Sequence, residues 1–571
     1  MAYAKSRNLT ASRAYGPGFA ENKALTTKKQ DDASFAPAED PWSIALSEKD
    51  QLPFESDNFD VSAALNDLGV GLSEISALSM KESSTKERCS IACGSLIHVL
   101  GLGKVSSQDT LPYKNFTDSF WSTQQGTVAP RCVIQPSSSK DVSIIVLLAR
   151  LTDCQFAARS GGHAAFEGAS NIPGGISIWF KDMNEITLNE DKSVVSIGPG
   201  NLWGQVYENL EPHGLAAVGG RASSIGVGGF ILGGGISFHS NLYGWALDNV
   251  QSFEVVTASG AIVTASETEH SDLYWALRGG GNNFGLVTKF NLYTIPYTMM
   301  RGGARSFVQD QFPEVINAFV NVVNDAPKDG NAQQWLAFLD YQGTKIASAE
   351  LTYAKDVADP DIFKQYRDIP AVSDTTTSKS LVQYCKDVEA SNQIGHREVY
   401  WPIATQLNEE FALWTVEEFF TALPQVANVT GILPVLIYHA LTEPILKKMS
   451  KFGGNALGLD PSKGPVHLLQ IACWWDDEAD DDTVYQFINS YWETVLEKAQ
   501  TMGISNGFIY MNYGSKFQDV VAGYGDANAA RLRHIASNYD PKQIYQGLQP
   551  GYFKLGHAPK SFVARSSGDT E

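Results

Sequence analysis

The chain has 571 residues, of which 43% are hydrophobic and 19% are charged. This length exceeds what one hydrophobic core usually supports, so we expect two principal domains. The chain has 43 Lys and Arg residues and 63 Asp and Glu residues, which gives a net charge of -20. This negative charge would repel a phosphate backbone, so nucleic acid is not an expected partner. No stretch of consecutive apolar residues approaches twenty in length, so we expect no membrane span.

The N-terminal 60 residues are rich in Ser, Ala, Asp, Lys and Pro and predict an irregular or disordered lead. They contain no apolar run typical of a secretory signal, which leaves a cytoplasmic protein or a secreted one whose signal was removed. Three N-x-S/T sequons, at Asn8, Asn115 and Asn428, do not decide between these locations.

The six cysteines are too few for a disulfide scaffold, and they lack the paired spacing of a zinc site. We therefore expect no metal. We predict at most one disulfide, which would join Cys89 or Cys93 to Cys132.

From residue 132 onward the sequence alternates strand-like and helix-like segments. CVIQP predicts a strand, residues 140–152 predict a helix, and QFAAR predicts a second strand that ends directly at Arg159. Further strands are expected in GISIWF (175–180) and VVSIGPG (194–200), with a helix over 202–210. The run FEVVTASGAIVTAS predicts a hairpin around Ser259-Gly260.

After about residue 300 the pattern predicts an antiparallel sheet with covering helices. WLAFLDYQGTKIASAELTYA predicts a hairpin around Gln342-Gly343, and HLLQIACWW predicts another strand. A helix over 483–500 carries an apolar face at helical spacing. We assign that face to the core; it comprises Val484, Phe487, Ile488, Tyr491, Trp492, Val495, Leu496 and Ala499.

Two glycine-rich segments need a chemical explanation: RSGGHAAFEG (159–168) and GGRASSIGVGGFILGGGISF (219–238). Glycine lets the backbone approach a ligand closely, and successive N–H groups in such turns bind anions such as a diphosphate. The alternative is simple turns in a glycine-rich fold. Neither segment has the spacing of a P-loop or of a dinucleotide-binding turn between strand and helix, so a Rossmann fold is disfavoured.

Several motifs in order carry a family resemblance. They are RSGGH, GPGNLWGQVY, GGRASSIGVGGFILGGGISF, YGWALDNVQSFEVVTASG, DLYWALRGGGNNFGLVT and YDPKQIYQGLQPG. Together they resemble the FAD-linked oxidases of the vanillyl-alcohol oxidase superfamily, with a PCMH-type FAD-binding domain, and most closely the fungal members of the berberine-bridge-enzyme-like branch. The resemblance is strong over 125–300, good over 505–555 and weaker between them.

The resemblance implies an α+β fold of two domains. An FAD-binding domain would span 61–300, with its PCMH-type core at about 126–298. A substrate domain, built on an antiparallel sheet covered by helices, would span 301–505. Residues 506–555 would return to the FAD domain, and 556–571 would form a tail.

The resemblance also implies that an imidazole nitrogen of His163 is bonded to the 8α methyl group of FAD. Doubly linked members carry a cysteine where this chain has Ala222, and alanine cannot form a thioether, so we predict a single covalent link. The remaining cofactor-binding residues that it implies are Arg159, Ser160, Gly161, Gly162, Gly220, Ser223, Gly226, Gly228, Gly229, Tyr243, Gly244, Asp248, Gly285, Val287, Asn512 and Tyr513. For each glycine the alternative is packing alone.

The implied reaction is hydride transfer to FAD from a small alcohol, amine or polyketide- or alkaloid-type molecule, assisted by a base. Molecular oxygen is a candidate electron acceptor. The glutamate that plant members place after a Gly-Gly pair is absent from GGNALG (453–458). The candidates for direct chemistry on predicted strands are Tyr438, His439, His467 and Gln470. Candidate pocket walls, with core packing as the alternative, are Trp335, Trp401, Trp414 and Trp474.

Two other functions stay open for this scaffold. Oxidation could be followed by ring closure, which would make the protein an oxidative cyclase, or the protein could bind a carbohydrate or another small ligand without redox turnover. A serine hydrolase is disfavoured, because the G-x-S-x-G match at residues 503–507 follows a helix and precedes the strand-like FIYMNY. We interpret Gly503 as the cap that ends that helix.

Overall fold

The computed structural model describes residues 54–79, 84–297, 299–556 and 558–562. The sequon at Asn8, most of the predicted lead and most of the predicted tail lie outside the described residues. Within these ranges the chain forms three sheets with helices packed around them. No helix among the described residues is long and apolar enough to cross a membrane.

The first sheet contains the predicted strand, helix, strand unit. Its order is β1-β2-β4-β3; β2 and β3 run parallel to β4, and β1 runs antiparallel to β2. The predicted strands in CVIQP, QFAAR and GISIWF are confirmed. The strands are β1 (Val105–Ser106), β2 (Cys132–Ile134), β3 (Phe156–Arg159) and β4 (Ile176–Trp179).

The second sheet is antiparallel, in the order β5-β6-β10-β8-β9, and β7 also pairs with β10. Its strands are β5 (Ile186–Leu188), β6 (Val194–Ile197), β7 (Leu215–Ala217), β8 (Val250–Val256), β9 (Ile262–Ser266) and β10 (Leu286–Pro296). The predicted hairpin between β8 and β9 is confirmed. Gly260 lies in its turn with φ of 76°, a left-handed conformation that favours glycine.

The third sheet is also antiparallel and has nine strands, in the order β14-β11-β13-β12-β17-β18-β16-β19, with β15 paired to β11. The hairpin predicted at Gln342-Gly343 joins β12 to β13. The strands are β11 (Met300–Val308), β12 (Ala332–Tyr341), β13 (Thr344–Tyr353), β14 (Ser373–Asp374), β15 (Thr377–Lys379), β16 (Arg397–Gln406), β17 (Leu433–Leu441), β18 (Val466–Trp475) and β19 (Ser505–Asn506).

The α-helices lie mostly between the strands in sequence. They are α1 (Val61–Asp67), α2 (Thr85–Leu100), α3 (Leu111–Thr117), α4 (Thr123–Gly126), α5 (Ser139–Leu151), α6 (Trp203–Leu210), α7 (Val227–Leu232), α8 (Ser240–Tyr243), α9 (Ser271–Leu277), α10 (Phe312–Asp325), α11 (Lys364–Asp368), α12 (Leu381–Glu389), α13 (Glu409–Ala422), α14 (Glu443–Lys448), α15 (Asp481–Thr501), α16 (Asp526–Tyr539) and α17 (Ile544–Gly547). The predicted helices over 140–152, 202–210 and 483–500 are confirmed as α5, α6 and α15.

Helix α15 buries its predicted apolar face, except that Leu496 is 41% exposed. Its end has the hydrogen bonds of a Schellman motif: the Gly503 and Ile504 N–H groups donate to the carbonyls of Gln500 and Ala499. Gly503 has φ of 69°, so the G-x-S-x-G match is a helix end. The strand expected in FIYMNY is wrong, because only Ser505–Asn506 pairs and Met511–Tyr513 forms a short 3-10 turn.

Two disulfides connect α2 to its neighbours, one to β2 of the first sheet and one to the segment that follows α5. Cys93 is bonded to Cys132, one of the two predicted pairings, and Cys89 is bonded to Cys154. The prediction of at most one bridge is therefore wrong. Cys89 and Cys93 are four residues apart and so lie on one face of α2, where one reaches β2 and the other reaches the end of α5.

The nine-stranded sheet has two different faces because side chains alternate along each strand. On one face, Leu436 of β17 and Leu469 and Ile471 of β18 join a hydrophobic core with residues of α10, α13 and α15. On the other face, Val435 and Ile437 of β17 line a cavity.

Candidate active site

A cavity of about 700 Å³ is lined by residues from both halves of the fold. The glycine-rich segments around residues 160–163 and 226–229 contribute to it, as do residues 285–287 of the second sheet. The third sheet contributes side chains from its open face. Asn512 and Tyr513, from the C-terminal segment, complete the lining.

The two glycine-rich segments cross in direct backbone contact. A Cβ atom on Gly161 would lie 2.5 Å from the Gly226 nitrogen, and one on Gly226 would lie 2.1 Å from the Gly161 nitrogen. Any side chain at either position would force the segments apart. Ser160 joins them further, since its Oγ donates to the Pro199 carbonyl at 2.6 Å and accepts from the Gly228 N–H at 3.1 Å.

His163 lies at the wall of the cavity directly after these glycines. Its ring stacks on Trp121, with ring centroids 4.3 Å apart. Gln125 of α4 holds the following segment by donating to the Ala164 carbonyl at 2.8 Å. The Nε2 atom of His163 is buried and has no hydrogen-bond partner among the described residues. Burial lowers the pKa of His163, which keeps the imidazole neutral.

The structure brings eleven of the predicted cofactor-binding residues to the cavity. They are His163, Ser160, Gly161, Gly162, Gly226, Gly228, Gly229, Gly285, Val287, Asn512 and Tyr513. Asn512 also supports the wall, because its side-chain amide donates to the Phe230 carbonyl at 2.9 Å and to the Tyr510 hydroxyl at 3.0 Å.

Three predicted residues close to the glycines lie behind the cavity wall, which corrects their expected placement. Arg159 is buried beneath the wall and donates to the carbonyls of Phe116 and Ser119 at 2.7 and 2.6 Å. The Gly220 backbone packs against the Trp203 ring, and the Ser223 carbonyl accepts from the Gly204 N–H at 3.0 Å. These residues shape the wall without lining it.

Tyr243, Gly244 and Asp248 also lie away from the cavity, again contrary to expectation. Gly244 has φ of 91°, and a Cβ atom there would lie 2.8 Å from an Asp248 carboxylate oxygen. That carboxylate accepts from the Trp245 N–H at 3.0 Å and from Asn455 at 2.8 Å. Burial raises the pKa of Asp248 to about 6. The group closes a turn.

Strand alternation divides the four catalytic candidates. His439 and Gln470 line the cavity. Tyr438 points to the opposite face, where its hydroxyl donates to the Ala412 carbonyl at 2.7 Å. His467 is fully buried on that same face, with its ring 4.5 Å from the Tyr438 ring. Tyr438 and His467 therefore do not face the cavity, which removes them from the candidates for direct chemistry.

The four candidate tryptophans divide in a similar way. Trp335 and Trp474 line the cavity. Trp401 and Trp414 pack with the core under α13 and α15, where the Trp492 indole donates to the Trp401 carbonyl at 3.1 Å.

Arg221 organises a polar cluster in the cavity that the sequence did not reveal. Its guanidinium donates to the Tyr513 hydroxyl at 2.5 Å and lies 3.5 Å from His439 Nδ1. The same group lies over the Trp335 ring, 4.7 Å from its centroid. Burial, and then the charge of Arg221, hold the pKa of His439 well below its usual range. His439 is therefore neutral, and its Nδ1 can accept from Arg221.

Comparison with known proteins identifies the family. The family model described as FAD binding domain matches residues 130–266. The chain is similar to the FAD-dependent monooxygenase tpcD of Cochliobolus heterostrophus, with 33% identity over 498 residues that cover 84% of this chain and 96% of the relative.

The chain belongs to the FAD-linked oxidoreductases of the vanillyl-alcohol oxidase superfamily.

Two solved structures show the same fold. The 6-hydroxy-D-nicotine oxidase of Arthrobacter nicotinovorans has a TM-score of 0.63 at 20% identity, covering 77% of this chain and 96% of the other. Wild-type BBE-like 1 of Physcomitrella patens has a TM-score of 0.65 at 17% identity, covering 84% and 100%. These likenesses confirm the α+β two-domain fold, and the family makes this protein an FAD-linked oxidoreductase.

The residues of this FAD-linked oxidoreductase fit the cofactor. Backbone at Gly161, Gly226 and Gly228 lines the cavity without side chains that would fill it, and His163 presents a neutral nitrogen that needs a partner. The described residues contain no group of three or more His, Cys, Asp or Glu side chains that could hold a metal ion.

Glu398 is a buried polar group on the cavity side of the third sheet. It lies on β16 two residues before the cavity-lining Tyr400, and it pairs in register with Trp474 of β18. Neither carboxyl oxygen has a hydrogen-bond partner among the described residues. Burial raises the pKa of Glu398 to about 10, so the folded protein holds a neutral carboxylic acid at this position.

This raised pKa predicts how stability changes with pH. The contribution of Glu398 to the free energy of unfolding is fully present below the pKa of glutamate in the unfolded chain, about 4. It is lost as the pH rises toward the pKa of Glu398 in the folded protein. We expect Glu398→Gln to be more stable than wild type at about pH 8 by a few kcal/mol, with the difference shrinking toward about pH 5.

The measurement is denaturant unfolding of both proteins across this pH range. Glu497→Gln, which replaces an exposed glutamate on α15, is the matched control. A constant difference between Glu398→Gln and wild type at every pH would contradict the assignment.

Proposed function

We propose that this protein binds FAD through one covalent bond to His163 and oxidises a small organic substrate by hydride transfer. The observation that carries the proposal is the Arg221, Tyr513 and His439 cluster, which lines the same cavity as His163. It provides a proton acceptor next to the site where the cofactor fits.

The cofactor-binding part of the proposal rests on His163 and Ala222. FAD, when bound, accepts the hydride that leaves a substrate carbon. A neutral imidazole with an unpaired nitrogen is the form of histidine that can bond to an electrophilic carbon. Ala222 also lines the cavity, and its methyl group offers no sulfur for a second bond.

The proton-transfer part rests on Tyr513. Removal of a hydride from a carbon that bears a hydroxyl group becomes easier as that hydroxyl loses its proton. The Tyr513 phenolic oxygen is in the cavity, and in its phenolate form it can accept this proton. Arg221 donates to that same oxygen, and a guanidinium donor stabilises negative charge on its acceptor. His439 accepts from Arg221 and so orients the guanidinium.

The covalent bond can be tested by acid precipitation. We expect wild-type protein to keep its yellow colour in the pellet, and His163→Ala to release the colour to the supernatant. Ala222→Cys tests the second position, since a thiol there could form the additional bond. Visible spectra of pellet and supernatant are the readout. Release of colour from the wild-type protein would contradict the covalent bond.

Removing the Tyr513 hydroxyl should slow substrate oxidation. We expect Tyr513→Phe to lower the rate of flavin reduction by about a hundredfold or more, the usual contribution of a positioned base. The measurement is anaerobic bleaching of the flavin absorbance by the best alcohol from a panel of benzylic and allylic alcohols.

A matched control comes from the same cavity. Tyr552→Phe removes a hydroxyl that donates to the Met511 carbonyl at 3.3 Å, and we expect it to keep most of the rate. A wild-type rate in Tyr513→Phe would reject Tyr513 as the base. A wild-type flavin that light reduces but that no alcohol in the panel reduces would favour a binding protein without redox turnover.

A second outcome of the same oxidation is supported by the name of the Cochliobolus relative, a monooxygenase. In that case one atom of dioxygen enters the product, and the hydride and proton that the substrate loses reduce the other atom to water. We expect turnover under ¹⁸O-labelled dioxygen to separate the outcomes by mass spectrometry. Label in the product establishes oxygen transfer, whereas label only in hydrogen peroxide establishes an oxidase, and an unlabelled, ring-closed product establishes a cyclase.

A further inference from the structure

The cavity face of the third sheet is apolar in its middle. Ala337 and Leu339 of β12 and Val435 and Ile437 of β17 line the cavity there, and Ala337 pairs directly with Ile437. These four side chains form no hydrogen bonds, and the polar side chains of Ser348 and Gln470 border them on β13 and β18. A carbohydrate would leave several of its hydroxyl groups unpaired against the four apolar side chains, which is costly, whereas a flat aromatic molecule would lose nothing.

One end of this apolar floor carries a carboxylate. Glu350 of β13 pairs in register with Trp335 of β12, and both residues line the cavity. The Tyr384 hydroxyl donates to Glu350 Oε1. Burial holds the pKa of Tyr384 well above its usual range, so this hydroxyl keeps its proton. Tyr384 is itself fixed by stacking on Phe238, with centroids 4.8 Å apart.

The second oxygen of this carboxylate is not used by the protein. Within the part of the chain that the structure describes, Glu350 Oε2 has no hydrogen-bond partner, while the residue lines the cavity. Arg221 and Lys379, the nearby cations, are engaged elsewhere, Arg221 with Tyr513 and Lys379 with Asp387 at 2.8 Å. The Glu350 carboxylate is therefore held in place at Oε1, while its Oε2 accepts from no donor among the described residues.

The charges around Glu350 indicate what kind of donor it takes. Two cations, Arg221 and Lys379, and two carboxylates, Glu350 and Asp387, line this end of the cavity. Since these charges already balance, a substrate ammonium group would add an unpaired positive charge near two cations. A neutral hydroxyl group satisfies the carboxylate without that cost.

We propose that Glu350 is a specificity-determining residue that accepts a hydrogen bond from a neutral hydroxyl group of a flat aromatic substrate lying on the apolar floor. This inference rests on the proposed function in that it uses the same cavity. It concerns binding alone, so it can be tested without turnover.

The test compares three probes on the holoenzyme: naphthol, methoxynaphthalene and naphthylmethylammonium. Isothermal titration calorimetry gives the affinity of each. For wild type we expect naphthol to bind about ten- to hundredfold more tightly than methoxynaphthalene, the value of one hydrogen bond to a charged group. Naphthylmethylammonium should bind more weakly than naphthol. Glu350→Leu should remove the preference for naphthol, and Glu350→Gln should keep part of it.

Controls separate this result from loss of folding or of the cofactor. Each variant must keep the visible flavin spectrum of wild type, and the exposed-site variant Glu497→Leu should keep the full preference for naphthol. Equal binding of naphthol and methoxynaphthalene, no binding of any probe, a preference for the ammonium probe, or a naphthol preference that survives Glu350→Leu would each overturn the inference. Because no step involves oxidation, these outcomes are distinct from failure of the Tyr513 or His163 proposals.

Discussion

The alternation of side chains along β17 and β18 is the constraint on which the site depends. In each strand, one set of residues packs into the core with the covering helices, and the alternate set contains the residues that line the cavity. A shift of one residue would turn Tyr438 toward the cavity and bury His439 under the helices. The core between the third sheet and helices α10, α13 and α15 therefore fixes which side chains of β17 and β18 point into the cavity.

The opposite wall depends on a different constraint, the space taken by the backbone. Gly161 and Gly226 touch, so the two segments that carry His163 and Ala222 have a fixed separation. Rigid placement of both walls is what lets a few side chains act on a bound molecule with defined geometry. It also explains why Arg159, although buried and polar, lies behind the wall: it holds backbone carbonyls that shape the wall.

Periodicity and turn residues were sufficient to predict the hairpins and α5, α6 and α15, because their patterns are local. The facing of β17 and β18 could not be predicted, since β18 is buried at every position and its sequence shows no polar side. Motif resemblance supplied His163. It could not supply Arg221 or Glu350, whose roles come from neighbours far away in sequence: Tyr513 for one, and Tyr384 with the cavity for the other.

His163 and His467 show why burial alone does not identify a functional residue. Both have an unpaired buried ring nitrogen, and burial lowers the pKa of both, that of His467 to about 3. His467, however, lies among aromatic rings of the core, where nothing can reach it. His163 borders a cavity lined with glycine backbone. Burying an unpaired ring nitrogen costs free energy at both positions. At His467 this cost is fixed by the core packing, whereas at His163 a bound molecule can offset it.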